Sequence, residues 1–297
     1  MATKQRSRQR RAPRSSPRYV APVLDPTWHS PYAPSTAERH AHHAVVRAFT
    51  FRRRLPRAIA VGIVVAALVA GVVVVPWLPA VGAVIALAYA WDFRRSLVAD
   101  ARRGRSIGPT LRARLAPGGG GVDQVRLATV LDRLAATFGV DRAAPLVVSD
   151  PGYNAALVPD EPGLTLIATD ALMRDFELIE LEGVVAHCLA RARLGQMERE
   201  SLAAVVSATP EARRALAGEG LTYRADEVAG AAIRYPLGIA AALRKCAGQA
   251  PSPDSYFTSP DYDVQRWVWF DVAADRREPD LSDLDDPTLR ATALEEW

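Results

Sequence analysis

Cysteine is scarce in this chain: two residues, Cys188 and Cys246, among 297. That number excludes a disulfide-stapled fold. Lysine is nearly absent, with only Lys4 and Lys245, so the basic charge is almost all arginine. A GC-rich genome accounts for that bias as well as any function does. Histidine is the scarcity with chemical consequences. Of five, His29, His40, His42 and His43 lie before residue 58, and His187 stands alone after it. No two-histidine metal site can be assembled from the body of the chain. There is no phosphate-cradling glycine loop, no dinucleotide glycine pattern, no Ser-His-Asp set and no nucleic-acid fold signature. Nucleotide chemistry and specific nucleic-acid recognition are therefore not expected. Apolar residues at 49% and charged residues at 24% exclude a wholly disordered or fibrous protein.

Charge divides the chain. Residues 1–57 carry 13 basic and 2 acidic residues, a net of +11, whereas residues 122–297 carry 17 basic and 29 acidic, a net of −12. The first segment lacks a sustained apolar period and is expected to be a disordered basic arm. Its partners would be anionic lipid headgroups, and its His40, His42 and His43 would bind metal adventitiously at most.

From Ala58 to Trp91 no residue is charged. Pro76 and Pro79 interrupt the run, and Trp77, Tyr89 and Trp91 suit an interface. Arginines flank both ends: Arg52, Arg53, Arg54 and Arg57 before, Arg94, Arg95, Arg102, Arg103 and Arg105 after. This pattern predicts a two-helix transmembrane hairpin over 58–91 with both termini cytoplasmic, and hence a cell-membrane protein. The run is too long for a cleaved signal peptide. Residues 92–121 read as a basic juxtamembrane linker ending in four glycines.

Residues 122–297 are of single-domain size. Apolar spacing predicts a helix over 122–139, short strands at 146–150 and 164–169 with a third at 154–158, and a long helix over 175–195. Further helices are predicted at 198–218, 221–233, 236–248, 262–277 and 286–296. The fold class is α+β, mainly helical with a small β-sheet.

Three segments fall in a telling order. SDPGYNAALVPDEPGLTLIATDALM (149–173) holds an Asn154-Ala155 pair, ELIELEGVVAHCLAR (177–191) holds His187, and LTYRADEVAGAAIRYPLGIAAALRK (221–245) holds Ala225-Asp226. This resembles the HtpX-like family of membrane zinc metallopeptidases, which are gluzincins. There a strand with an Asn-Ala pair precedes an AHE-x-AH helix, and a helix bearing E-[FY]-x-AD follows. The resemblance covers roughly 122–248, and DPTLRATAL (286–294) looks like a worn form of the family's HPP-x-x-x-R-I segment. It implies a zincin-like domain, a peptide groove lined by Asn154 and Ala155, and Asp226 as the residue that holds the first histidine.

The resemblance fails where the chemistry lies. In an HExxH helix two histidines one turn apart bind zinc and the glutamate is the general base. Here His187 keeps the first ligand position, Cys188 replaces the base, and Arg191 replaces the second ligand. The third ligand position falls on Thr222. No catalytic residue and no metal is expected at these positions. Cys188 and Cys246 read as buried, inert thiols. Arg191 is expected to stand in for the missing cation and to pair with Asp226 or a nearby carboxylate.

The reading is a membrane-anchored pseudopeptidase that binds a protein or peptide and needs no cofactor. One alternative is an active zinc metalloendopeptidase with non-standard ligands. A second makes the basic arm the functional part, binding anionic lipid or nucleic acid.

Overall fold

The computed structural model describes residues 35–70, 75, 77–140, 143–218, 220–275 and 285–297. The first 34 residues of the basic arm and most of the acidic tract 280–286 lie outside the described residues. A mixed three-stranded sheet organises the body. Strands β1 (Ala143–Val148), β2 (Ala155–Asp160) and β3 (Gly163–Thr169) run in the order β1-β3-β2. β1 is parallel to β3, and β2 is antiparallel to it through a tight turn at Asp160–Gly163.

Strand periodicity sorts side chains between two cores. Ala155 and Leu157 of β2 and Leu166 and Ala168 of β3 face a large helical core. Ala156, Val158 and Ile167 face an aromatic core with Phe257, Tyr262 and Trp269. The helical core is built by α4 (Gly121–Phe138), α6 (Leu178–Arg193), α9 (Leu221–Ile233) and α10 (Pro236–Gly248). α6 is its centre, with every residue from Val184 to Arg191 buried. Its start is fixed by Glu180, whose carboxylate accepts from the Glu177 backbone N–H at 2.7 Å.

The N-terminal half departs from expectation. Residues 36–57, read as disordered, form the first part of α1 (Thr36–Ala70). α2 (Leu78–Arg105) runs antiparallel to it, with Arg54 3.3 Å from Asp92. The linker region is largely helical, in the rest of α2 and in α3 (Ile107–Arg114).

The transmembrane hairpin is corrected by this geometry. No helix among the described residues is long and apolar enough to cross a membrane. Among the described residues the uncharged part of α1 is Ala58–Ala70, about 20 Å long, and that of α2 is Leu78–Trp91, about 21 Å, both short of the roughly 30 Å needed. The rest of each helix is arginine-bearing. The cell-membrane location with both termini cytoplasmic rested on that hairpin and falls with it.

Downstream, the single helix expected over 198–218 is two, α7 (Met197–Val205) and α8 (Pro210–Ala217), because Pro210 starts a new helix capped by Thr209. A short α5 (Asp170–Asp175) follows β3. The helix expected over 262–277 is not continuous. α11 (Pro260–Gln265) gives way to one 3₁₀ turn at Arg266–Val268, and the chain then runs extended along β2. Its aromatic residues are spaced as a helical stripe, but Trp269 and Phe270 are buried on opposite sides of an extended segment instead. α12 (Pro287–Glu295) closes the fold against α10 and α9.

Candidate functional site

His187 lies mid-way along α6, fully buried. Its Nδ1 is 2.6 Å from Asp226 Oδ1 on α9. Sequence reasoning anticipated that contact; it did not anticipate the third member. Arg290 of α12 is fully buried, and its guanidinium grips Asp226 with Nε to Oδ2 at 2.7 Å and Nη2 to Oδ1 at 3.0 Å. Arg290 Nη1 also donates to the Phe270 carbonyl at 2.9 Å. The Phe270 ring stands edge-on to the imidazole, with centroids 5.1 Å apart, and lies under the Arg290 guanidinium at 5.3 Å.

The electrostatics follow from burial. Desolvation, the largest influence on His187, drives its pKa down to about 4, against the opposing pull of Asp226. Burial acts to raise the Asp226 carboxyl, but Arg290 and then His187 outweigh it and hold it at about 2. At neutral pH the trio is thus neutral imidazole, carboxylate and guanidinium. With Asp226 ionised, Nδ1 of the neutral ring must carry the proton and donate to it. Nε2 is then a lone-pair acceptor, buried and without a hydrogen-bond partner.

Arg191, one turn along α6, points elsewhere. Its Nε lies 3.1 Å from both oxygens of Glu200 on α7, and its Nη2 is 2.7 Å from Glu200 Oε2. Nη1 donates to the carbonyls of Val268 at 3.0 Å and Trp269 at 3.1 Å, and Nη2 to that of Trp267. The carboxylate it pairs with is therefore Glu200, while Asp226 has Arg290. Burial raises the Glu200 carboxyl above its ordinary value, and Arg191 opposes that rise.

The other positions are also engaged. Cys188 is buried, and burial pushes its thiol up to about 12, so no thiolate forms at neutral pH. Cys246 is likewise buried, its thiol 3.7 Å from the Tyr153 carbonyl. The Thr222 hydroxyl donates to Asp285 at 3.0 Å. Asn154 is fully buried. Its Nδ2 donates to the Asp271 carbonyl at 2.8 Å, and its Oδ1 accepts from the Asp271 N–H at 3.0 Å.

These last bonds belong to a larger feature. β2 is an edge strand, and the chain's own residues 269–271 cover that edge. Phe270 N–H donates to the Ala155 carbonyl at 2.8 Å, and Ala156 bridges Trp269 antiparallel. Asn154 and Ala155, which would face an open groove, are sealed beneath this segment. It is fixed from behind by Arg191 at residues 267–269 and by Arg290 at residue 270.

A zinc ion does not fit this donor set. A catalytic zinc takes three protein ligands and a water. His187 Nε2 offers a single unengaged lone pair, and two guanidiniums occupy neighbouring ground. Among the described residues no group of three His, Cys, Asp or Glu side chains is arranged to hold a metal. Arg290 and Glu200 are the residues that sequence reasoning missed. The worn segment 286–294 contained the signal for Arg290, because a buried Asp on α9 with no metal nearby requires a cation. Glu200 had no local signal, since its pairing depends on how α7 folds back over α6.

Comparison with protein-family models, with curated proteins and with solved structures finds no match for this chain.

Proposed function

We propose that this chain is a pseudopeptidase: an HtpX-like scaffold whose metal site has become a buried ion-pair lattice, and which binds a protein or peptide without cleaving it. One observation carries the reading. His187 of α6 and Asp226 of α9 are in contact, yet Arg290 neutralises Asp226 and Arg191 anchors the segment that covers β2. The position after His187, where the family has its general base, holds Cys188, and that thiol is too hard to ionise to act as a nucleophile. A peptide cannot add to the β2 edge while residues 269–271 occupy it, so a partner must use the outer surface of the domain.

Elemental analysis of the purified full chain, beside a His187→Ala variant, tests this. The expected result is near-zero zinc in both and no cleavage of an unfolded protein such as casein. Stoichiometric zinc that disappears in the variant would restore the active metalloendopeptidase.

A further inference from the structure

A large cavity lies apart from His187 and Asp226. It has a volume of about 1140 Å³ and lies between the α1–α2 pair on one side and the β2–β3 turn, α6 and α7 on the other. That is at or just above the upper end of small-molecule pockets, roughly 300–1,000 Å³. Its walls are apolar where Val46, Val140, Leu164, Met197 and Leu202 line it.

Two of its arginines are left without a carboxylate among the described residues. Three acids line the cavity, and each has a partner: Asp100 meets Arg103 at 2.9 Å, Glu161 meets Arg105 at 2.8 Å, and Glu198 meets the His43 imidazole at 3.1 Å. Arg47 and Arg193 also line it, and neither has a carboxylate partner among the described residues. Arg47 is exposed at the rim. Arg193 is half-buried at the end of α6, and its Nε is buried with no hydrogen-bond partner at all. A buried N–H without an acceptor costs free energy, and the fold sets this half-buried side chain on the wall of an open space.

We infer that this cavity binds an anionic amphiphile, its carboxylate or phosphate held by Arg193 and Arg47 and its hydrocarbon part lying against the apolar walls. Two features select this ligand together. Two guanidiniums without a carboxylate partner favour an anion, and the apolar lining disfavours a free, fully hydrated one. The site is distinct from the one on which the pseudopeptidase reading rests, because His187, Asp226 and Arg191 are not among its lining residues.

Calorimetric titration of the full chain tests it, with dodecanoate and dodecyl phosphate below their micellar concentrations, and with dodecanol and inorganic phosphate as the neutral and headgroup-only arms. Saturable one-to-one binding of the two amphiphiles is expected. Dodecanol and inorganic phosphate should each bind at least about tenfold more weakly, the worth of one lost charge-assisted contact. Arg193→Gln and Arg47→Gln should each weaken dodecanoate about tenfold, with the far-ultraviolet circular dichroism of the fold unchanged. Equal affinity for dodecanol would mean non-specific adhesion to apolar surface and would overturn the assignment. So would inorganic phosphate binding as tightly as dodecyl phosphate, or Arg193→Gln and Arg47→Gln variants that are folded yet bind dodecanoate like the parent.

Discussion

His187, Asp226 and Arg290 form a unit in which no member is dispensable, because each settles another's charge. A buried carboxylate without a cation is destabilising by several kcal/mol, and Arg290 removes that penalty with two direct contacts. Arg290→Met should therefore lower stability by roughly 3–5 kcal/mol in urea unfolding, while the double variant Asp226→Leu with Arg290→Met should recover much of the loss. A double variant no more stable than the single would mean that the ion pair is not what fixes α12 to α9. The imidazole makes a second prediction. Its pKa falls from 6.5 to about 4 on folding. A depressed folded value means that stability is fully present above the unfolded value and lost as pH falls through the folded one. His187 should thus cost on the order of 3 kcal/mol of stability between about pH 6.5 and 4. Asp226, held at about 2, adds a further loss below its ordinary value of 3.8. Histidine NMR against pH, with His187→Gln as the assignment control, checks this: a ring that titrates near 6.5 would contradict the buried neutral state.

At the scale of elements, α6 is the axis, and its contact with α10 depends on two glycines. A Cβ on Gly183 would stand 2.8 Å from the Ile239 backbone nitrogen, and one on Gly238 would stand 2.7 Å from the Ile179 carbonyl oxygen. Alanine in place of a mid-helix glycine ordinarily gains about 0.5–1 kcal/mol. At Gly183 the steric conflict is with backbone, which cannot rotate away, and overpacking of that kind costs roughly 1–3 kcal/mol. Gly183→Ala should therefore lower the urea midpoint. Gly62→Ala, in α1 with nothing within 4 Å of the new atom, should leave it unchanged or raise it slightly. If both substitutions stabilise, α6 and α10 are not packed as closely as their glycines indicate. The extended segment at 269–271 shows why element prediction failed locally. Trp267, Trp269 and Phe270 satisfy a helical stripe and a strand alternation about equally well. Only the free edge of β2, three-dimensional information, decides between them.

On the scale of the whole molecule, legibility in the sequence tracked how local the determining interactions are. The strands β1–β3, the long helix around His187, and the helices α9, α10 and α12 announced themselves through period and punctuation. The His187–Asp226 contact came with the resemblance. What stayed hidden is long-range: the pairing of Arg290 with Asp226 across 64 residues of chain and of Arg191 with Glu200 through a turn, and the covering of β2. The N-terminal region was misjudged for a related reason. Its charge pattern suggested a disordered arm and a separate hairpin, but half-buried Val45, Val46 and Phe49 of α1 pack against Leu202, Val206 and Leu216 of α7 and its surroundings. Exposed ion pairs such as Arg224–Glu38 at 3.5 Å and His43–Glu198 at 3.1 Å also bridge α1 to the body. The magnitudes decide which holds it. Exposed pairs are worth about 0–1 kcal/mol and are screened by salt, whereas burying half of a phenylalanine is worth about 1–2 kcal/mol and is not. Phe49→Ala should therefore open α1 about tenfold more often, seen as faster tryptic cleavage at Arg52, Arg53, Arg54 and Arg57. Raising salt from about 0.05 to 0.5 M, within the range where screening shortens several-fold, should change that rate little. If salt accelerates cleavage as much as the substitution does, the arm is held by charge and the apolar seam is incidental.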